Sequence, residues 1–229
     1  MNICIIPARG GSKRIPGKNI KLFCGKPIIE YPIEVAKKSK IFSYIVVSTD
    51  DKKIAEISKK AGALVPFIRP KELSTDHIAT RPVVNHAICE LEKTLGIPSF
   101  ICVIYPTSPF LLENDLCQSF EIMKNKKEGF VFGASSFAYP IQRAFLIDKN
   151  KNLKRTNPEY RFTRSQDLEE AYHDAGQFCW GYYKSFLDNL DPISNIGYAY
   201  KLPRYRVHDI DTIEDWKRAE IIYYSLFKK

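Results

Sequence analysis

Nothing in this chain reads as built to cross or leave a membrane. It has no apolar run of about 18 residues or more and no apolar leader behind Met1. Its six cysteines, Cys4, Cys24, Cys89, Cys102, Cys117 and Cys179, include no C-x-x-C pair. Cys4 and Cys102 lie inside apolar runs and read as small core residues, and a reducing, cytoplasmic setting suits all six. G-x-S-x-G and H-E-x-x-H are absent, and the four histidines lie far apart without ligand spacing, so no nucleophilic or zinc-peptidase reading survives. The chain also lacks a Walker string, G-x-x-x-x-G-K-[ST], and the dinucleotide fingerprint G-x-G-x-x-G. No internal repeat is visible.

What the chain does have is positive charge: 35 Lys and Arg against 26 Asp and Glu, formally +9. Much of it sits in Lys37-Lys38, Lys52-Lys53, Lys59-Lys60 and Lys124 to Lys127, on or just after amphipathic helical patterns. Such runs mark solvated faces. With no aromatic-interleaved RNA-binding string and no helix-turn-helix signal, small anionic substrates explain the excess better than nucleic acid.

Apolar strand-like runs recur at 3–6, 44–48, 100–105 and 130–134. Helical patterns lie between and after them at 27–38, 51–61, 81–95, 113–124 and 213–227. This alternation predicts an α/β fold, a mainly parallel sheet between helices in a Rossmann-like three-layer sandwich, as a single domain over residues 1–229. Pro27 is expected in the first turn of the first helix, and Asp211-Thr212 at the N-cap of the last. Residues 137–180 are aromatic and polar without a helical period, with a hairpin turn at Asp148–Asn152. They read as an inserted arm that packs against another subunit.

The first strand runs into Ala8-Arg9-Gly10-Gly11-Ser12-Lys13-Arg14-Ile15-Pro16-Gly17-Lys18-Asn19. Glycines let backbone N–H groups approach a ligand, and lysine and arginine supply charge to phosphate oxygens. A solvated basic turn is the plainer alternative, weakened because the loop follows the first strand directly, where open α/β sheets bind nucleotides. Near the other end stands His208-Asp209-Ile210-Asp211. On an extended segment Asp209 and Asp211 share a face. Two carboxylates about 6 Å apart repel by roughly 3 kcal/mol at an effective dielectric of about 20. A divalent cation reverses that sign, and magnesium suits a carboxylate pair facing phosphates. Alternatively Asp211 only caps the last helix. Between the two lie Arg69-Pro70-Lys71-Glu72-Leu73-Ser74-Thr75-Asp76, with Thr80 beyond, and Tyr105-Pro106-Thr107-Ser108-Pro109 at the carboxyl end of a strand. A loop arginine and hydroxyls are apt hydrogen-bond donors to a polar ligand, although an ordinary polar loop would look similar.

The string A-R-G-G-S-K-R-I-P-x-K-N resembles the CMP-sugar synthetases, cytidylyltransferases that activate sialic-acid-like nonulosonic acids, and the resemblance covers nearly the whole chain. It implies a fold of the nucleotide-diphospho-sugar transferase type. It implies CTP bound by Ala8, Arg9, Gly10, Gly11, Ser12, Lys18, Asn19, Arg69 and Thr80. Catalysis would rest on Arg9, Lys18, Asp209 and Asp211, the two aspartates holding Mg2+. Residues 137–180 would form the dimerisation and sugar-binding arm of a homodimer. In sialic acid synthetases the Y-P-T-S-P motif reads Q-P-T-S-P, and a P-N-G-A run stands where this chain has His173-Asp174-Ala175-Gly176-Gln177-Phe178. Tyr105 and that string, with Arg161 to Asp167 upstream, are more similar to the pseudaminic acid branch. Tyr105, Ser108, Arg164, His173 and Gln177 are then the expected sugar contacts. Arg164 suits the sugar carboxylate, since guanidinium binds carboxylate bidentately; His173 could equally be an interface histidine. Rival readings are a synthetase for another acid sugar and a non-enzymatic RNA-binding module.

Overall fold

The computed structural model describes residues 1–228. Strand β1 (Asn2–Pro7) is apolar from Ile3 to Ile6, and all four side chains are buried. Side chains alternate across a strand, so such a run must be covered on both faces. Ile3 and Ile5 join one apolar cluster, and Cys4 and Ile6 another. A small hairpin, β2 (Leu22–Phe23) and β3 (Lys26–Pro27), precedes helix α1 (Glu30–Ser39), β4 (Tyr44–Ser48) and α2 (Lys52–Ala61). Then come α3 (Thr80–Leu95), β5 (Phe100–Ile104), α4 (Glu113–Lys124) and β6 (Phe130–Ser136). A second hairpin, β7 (Phe145–Ile147) and β8 (Leu153–Arg155), leads to β9 (Tyr172–Tyr182) and the short α5 (Tyr183–Leu187). Strand β10 (Gly197–Lys201) and helix α6 (Ile213–Phe227) close the order.

Six strands form one sheet, β10-β6-β9-β5-β1-β4. β1 runs parallel to β4 and β5, β10 runs parallel to β6, and β9 lies antiparallel between β5 and β6. Helices α1, α2 and α4 cover the face carrying Cys4 and Ile6; α3 and α5 cover the other. This is the expected three-layer, mainly parallel sandwich. A third cluster joins Ile15 of the cationic loop to Ile210 of the Asp-x-Asp segment through Phe23, Phe110 and Trp216. Burial of those two isoleucines brings chain segments almost two hundred residues apart to one place.

Two expectations are corrected. Residues 172–180, read from the sequence as the end of the arm, form most of β9 at the centre of the sheet, so the excursion outside the sheet spans residues 137–171. β9 is covered on both faces, Gly176 adopts a left-handed φ of 61°, and the β6 register shifts between Phe132 and Ala134. Each of these erases a clean two-residue period. Pro27 sits in β3, paired with Leu22, and α1 begins only at Glu30.

Candidate active site

The cationic loop leaves the carboxyl end of β1, with Ala8 fully buried and its N–H donating to Ser48 O at 2.9 Å. Beyond it, Arg9, Ser12, Lys18, Asn19, Arg69, Thr80 and Tyr105 line one cleft of about 450 Å3, together with Lys13, Arg14 and Asp76. Seven of the expected site residues therefore meet in a single cavity.

The loop's backbone donors differ from the expectation. Gly10 N–H donates to Asp50 Oδ1 at 3.0 Å, and Ser12 N–H to Gly10 O at 3.0 Å. Gly11 is left with the N–H that has no protein acceptor among the described residues. Gly10 is glycine because of close approach: a Cβ there would lie 2.7 Å from an Asp51 carboxylate oxygen. Asp51 itself caps α2, accepting from Lys53 N at 2.7 Å and Ile54 N at 3.0 Å. Asn19 is buried and donates Nδ2–H to Arg9 O at 2.9 Å, so it orders the loop.

The cations already hold anions. Asp76 pairs with Arg9 and, at 2.6 Å, with Lys13, and hydrogen bonds from Lys13 and then Arg9 keep its carboxyl below the usual range. Asp211 pairs with Arg14 at 2.8 Å and Lys18 at 3.2 Å. Lys18 Nζ also donates to Ile210 O at 2.7 Å. Helix α6 is capped by Thr212 with Asp215 in a reciprocal box, so Asp211 is not spent as a cap. Asp209 has no hydrogen-bond or ion-pair partner among the described residues. Partial desolvation, and next the charge of Asp211, raise its carboxyl above the usual value even though the residue surface is open.

Arg69 is buried, donates Nε–H to Ser74 Oγ at 3.0 Å and faces Asp50 at 3.6 Å. Burial lowers its pKa and Asp50 offsets part of that. Asp50 thus links the cationic loop to Arg69. Neither it nor Asp76 was among the expected site residues; the cationic string and the R-P-x-x-L-S-x-D string were the only signals pointing their way. Thr80 and Tyr105 also border a smaller chamber of about 240 Å3 with Arg81, Asp174 and Asp191. Burial, and then Asp174, raise the Tyr105 phenol.

The other expected sugar contacts lie outside the main cleft. Ser108 is buried and its hydroxyl donates to Gln177 O at 3.3 Å. Gln177 is buried too and donates Nε2–H to Arg206 O at 2.6 Å, a structural use of the amide. His173 packs its ring against Phe137 with Nδ1 2.8 Å from Asp174 O, and Arg164, on the excursion, pairs with Asp167 at 2.9 Å.

A mainly parallel sheet with a cationic loop at the carboxyl end of its first strand is the arrangement in which open α/β folds bind nucleotides. The cytidylyltransferase family model matches residues 3–183, and the chain belongs to that family. The pseudaminic acid cytidylyltransferase of Campylobacter jejuni is 45% identical over 225 residues, 97% of this chain and 96% of that one. The CMP-N,N'-diacetyllegionaminic acid synthase of Legionella pneumophila is 41% identical over 73% of this chain and 69% of its own. Among solved structures, a CMP:2-keto-3-deoxy-manno-octonic acid synthetase complexed with CTP superposes with a TM-score of 0.70 at 15% identity, covering 98% of both chains. At that identity the likeness is one of fold.

Proposed function

We propose that the chain transfers a cytidylyl group from CTP to an acidic nine-carbon sugar, pseudaminic acid, giving the CMP-sugar and pyrophosphate. The observation that carries this reading is the convergence of Arg9, Lys13, Arg14 and Lys18 on one cleft floored by Arg69 and Thr80. The name and full-length match of the Campylobacter jejuni relative support the choice of sugar.

The triphosphate takes the place that Asp76 holds between Arg9 and Lys13, since several phosphate oxygens outcompete one exposed carboxylate. The anomeric hydroxyl oxygen attacks the α-phosphorus, the bond from that phosphorus to the bridging oxygen breaks, and pyrophosphate leaves with the electron pair. The hydroxyl proton passes to a base. Arg9 and Lys18 act by positioning and by holding the developing charge. Charged hydrogen bonds of this kind are worth about 1.5–3 kcal/mol each. The sugar lies on the Tyr105 side, toward the chamber bordered by Asp174 and Arg81.

The acidic pair fits a magnesium ion. Asp209 is a carboxylate without a partner among the described residues, its pKa raised by partial desolvation and next by the charge of Asp211, both of which a bound cation offsets. Among the described residues no cluster of three or more metal-ligating side chains occurs. Magnesium takes one or two carboxylates and completes its shell with phosphate oxygens and water. Held by Asp209 and Asp211, it would supply positive charge to the phosphates.

The reaction belongs in the cytoplasm, where a reducing medium maintains six free thiols. A homodimer is supported by the β7–β8 hairpin, whose apolar side chains face solvent in the single chain. The test offers the purified chain CTP, magnesium and pseudaminic, legionaminic, N-acetylneuraminic or keto-deoxy-octonic acid, and measures pyrophosphate. Release with pseudaminic acid above the others is expected. A different preferred sugar overturns the substrate; no release with any acid sugar overturns the reaction.

A further inference from the structure

Residues 207–211 carry Asp209 and Asp211 yet belong to no strand or helix, so no ladder bonds fix where the two carboxylates sit. Side chains fix them instead. At the head of the segment Arg206 lays its guanidinium against Asp115 of α4, Nη1 to Oδ2 at 2.5 Å and Nη2 to Oδ1 at 3.0 Å. The two side chains are only 11% and 3% exposed. Asp115 is itself held: Oδ2 accepts Leu112 N–H at 3.0 Å, and the Tyr200 hydroxyl, 2.9 Å from Gln118 Oε1, lies 3.4 Å from Oδ1. The Arg206 carbonyl accepts Gln177 Nε2–H at 2.6 Å, and the Gln177 carbonyl accepts Tyr105 N–H at 2.9 Å. One residue thus joins the Asp-x-Asp segment to α4 by its side chain and to the Tyr105 wall of the cleft by its backbone.

A buried ion pair adds little net stability over well-packed apolar residues, so stability alone is a weak reason for this one. What a planar guanidinium in bidentate contact does supply is orientation. Beyond it, His208 packs its ring on Phe110 with Nε2 2.9 Å from Tyr205 O, and Ile210 is buried. Asp209 is then the one side chain of the run with no fixed partner, three residues from the anchor.

We infer that Arg206 is a positioning residue for the Asp209–Asp211 cation site, acting through its bidentate pair with Asp115. The inference rests on the magnesium reading above. Arg206→Lys keeps the charge and loses the planar fork. The double variant Asp115→Asn/Arg206→Met removes both charges, so no unpaired carboxylate is buried should the single variant fail to fold. Binding of Mn2+ to the CTP complex without sugar is read by electron paramagnetic resonance, CMP binding is measured without metal, and turnover is titrated with magnesium.

Either folded variant is expected to bind Mn2+ about tenfold more weakly and to need correspondingly more magnesium, the low end of the cost of losing a direct outer-shell partner, since Arg206 acts through the backbone and touches neither carboxylate. CMP binding without metal stays unchanged, and excess magnesium restores most of the turnover of Arg206→Lys. Wild-type protein that binds no Mn2+ and needs no divalent cation overturns the metal reading and this inference with it. Wild-type protein that does bind it, beside a folded variant of lower melting temperature and unaltered metal dependence, overturns the inference alone.

Discussion

Asp209 and Asp211 are two residues apart and chemically identical, yet their surroundings separate them. Asp211 is neutralised by Arg14 and Lys18, whereas Asp209 meets partial desolvation and its neighbour's charge. A carboxylate whose folded-state pKa is raised costs the fold stability once it ionises, so at neutral pH Asp209 is held at a loss. Asp209→Asn is therefore expected to abolish turnover while raising the melting temperature of the metal-free protein at neutral pH. Paired thermal melts and pyrophosphate assays check this; a variant that melts lower and turns over normally refutes both halves. The pair itself was legible, because an Asp-x-Asp string announces its spacing. Its partners were not. Nothing local says that Asp76 faces Arg9, that Asp50 holds Gly10 N–H, or that Gln177 serves Arg206, since each link joins segments far apart in the chain.

At the scale of elements, those with a strong period and a clear start were readable. β4 and α4 occupy the spans expected for them, and α2 begins where Asp51 caps it. β9 shows the opposite case. Its burial alternates poorly because strands flank it and helices cover it, and its two glycines serve different ends, Gly176 a left-handed backbone and Gly181 close packing. At Gly181 a Cβ would lie 2.7 Å from ring carbons of both Phe130 and Phe186. Phe130 is fully buried and Phe186 nearly so, which leaves neither ring room to withdraw. Overpacking a core of this kind costs roughly 1–3 kcal/mol. Gly181→Ala should lower the melting temperature by about 2–4 °C per kcal/mol in a chain of this length. A melt equal to wild type would mean that the sheet is not packed as tightly at its centre as the contacts indicate.

For the whole molecule the open question is what covers the excursion. Phe145, Leu146, Ile147 and Leu153 are 54%, 62%, 65% and 68% exposed, and Phe162 is 80% exposed. Scattered apolar residues on a surface need no explanation, but a hairpin with a wholly apolar, exposed first strand and an exposed Leu153 opposite it does. Isolated hairpins are marginal in water, and we propose that an identical copy covers this one. Sequence pattern made this much visible: aromatic residues without a core of their own, beside a turn at Asp148–Asn152. It could not show that the excursion ends at residue 171, because the strand that follows looks no more regular than the loop before it. Wild-type protein is expected to run as a dimer in light scattering coupled to size exclusion. Leu146→Asp with Ile147→Asp should run as a monomer with an unchanged circular dichroism spectrum, since neither side chain contributes to the buried core. Charge placed on both strand positions imposes desolvation on any partner, so a variant that stays dimeric would move the interface elsewhere on the molecule.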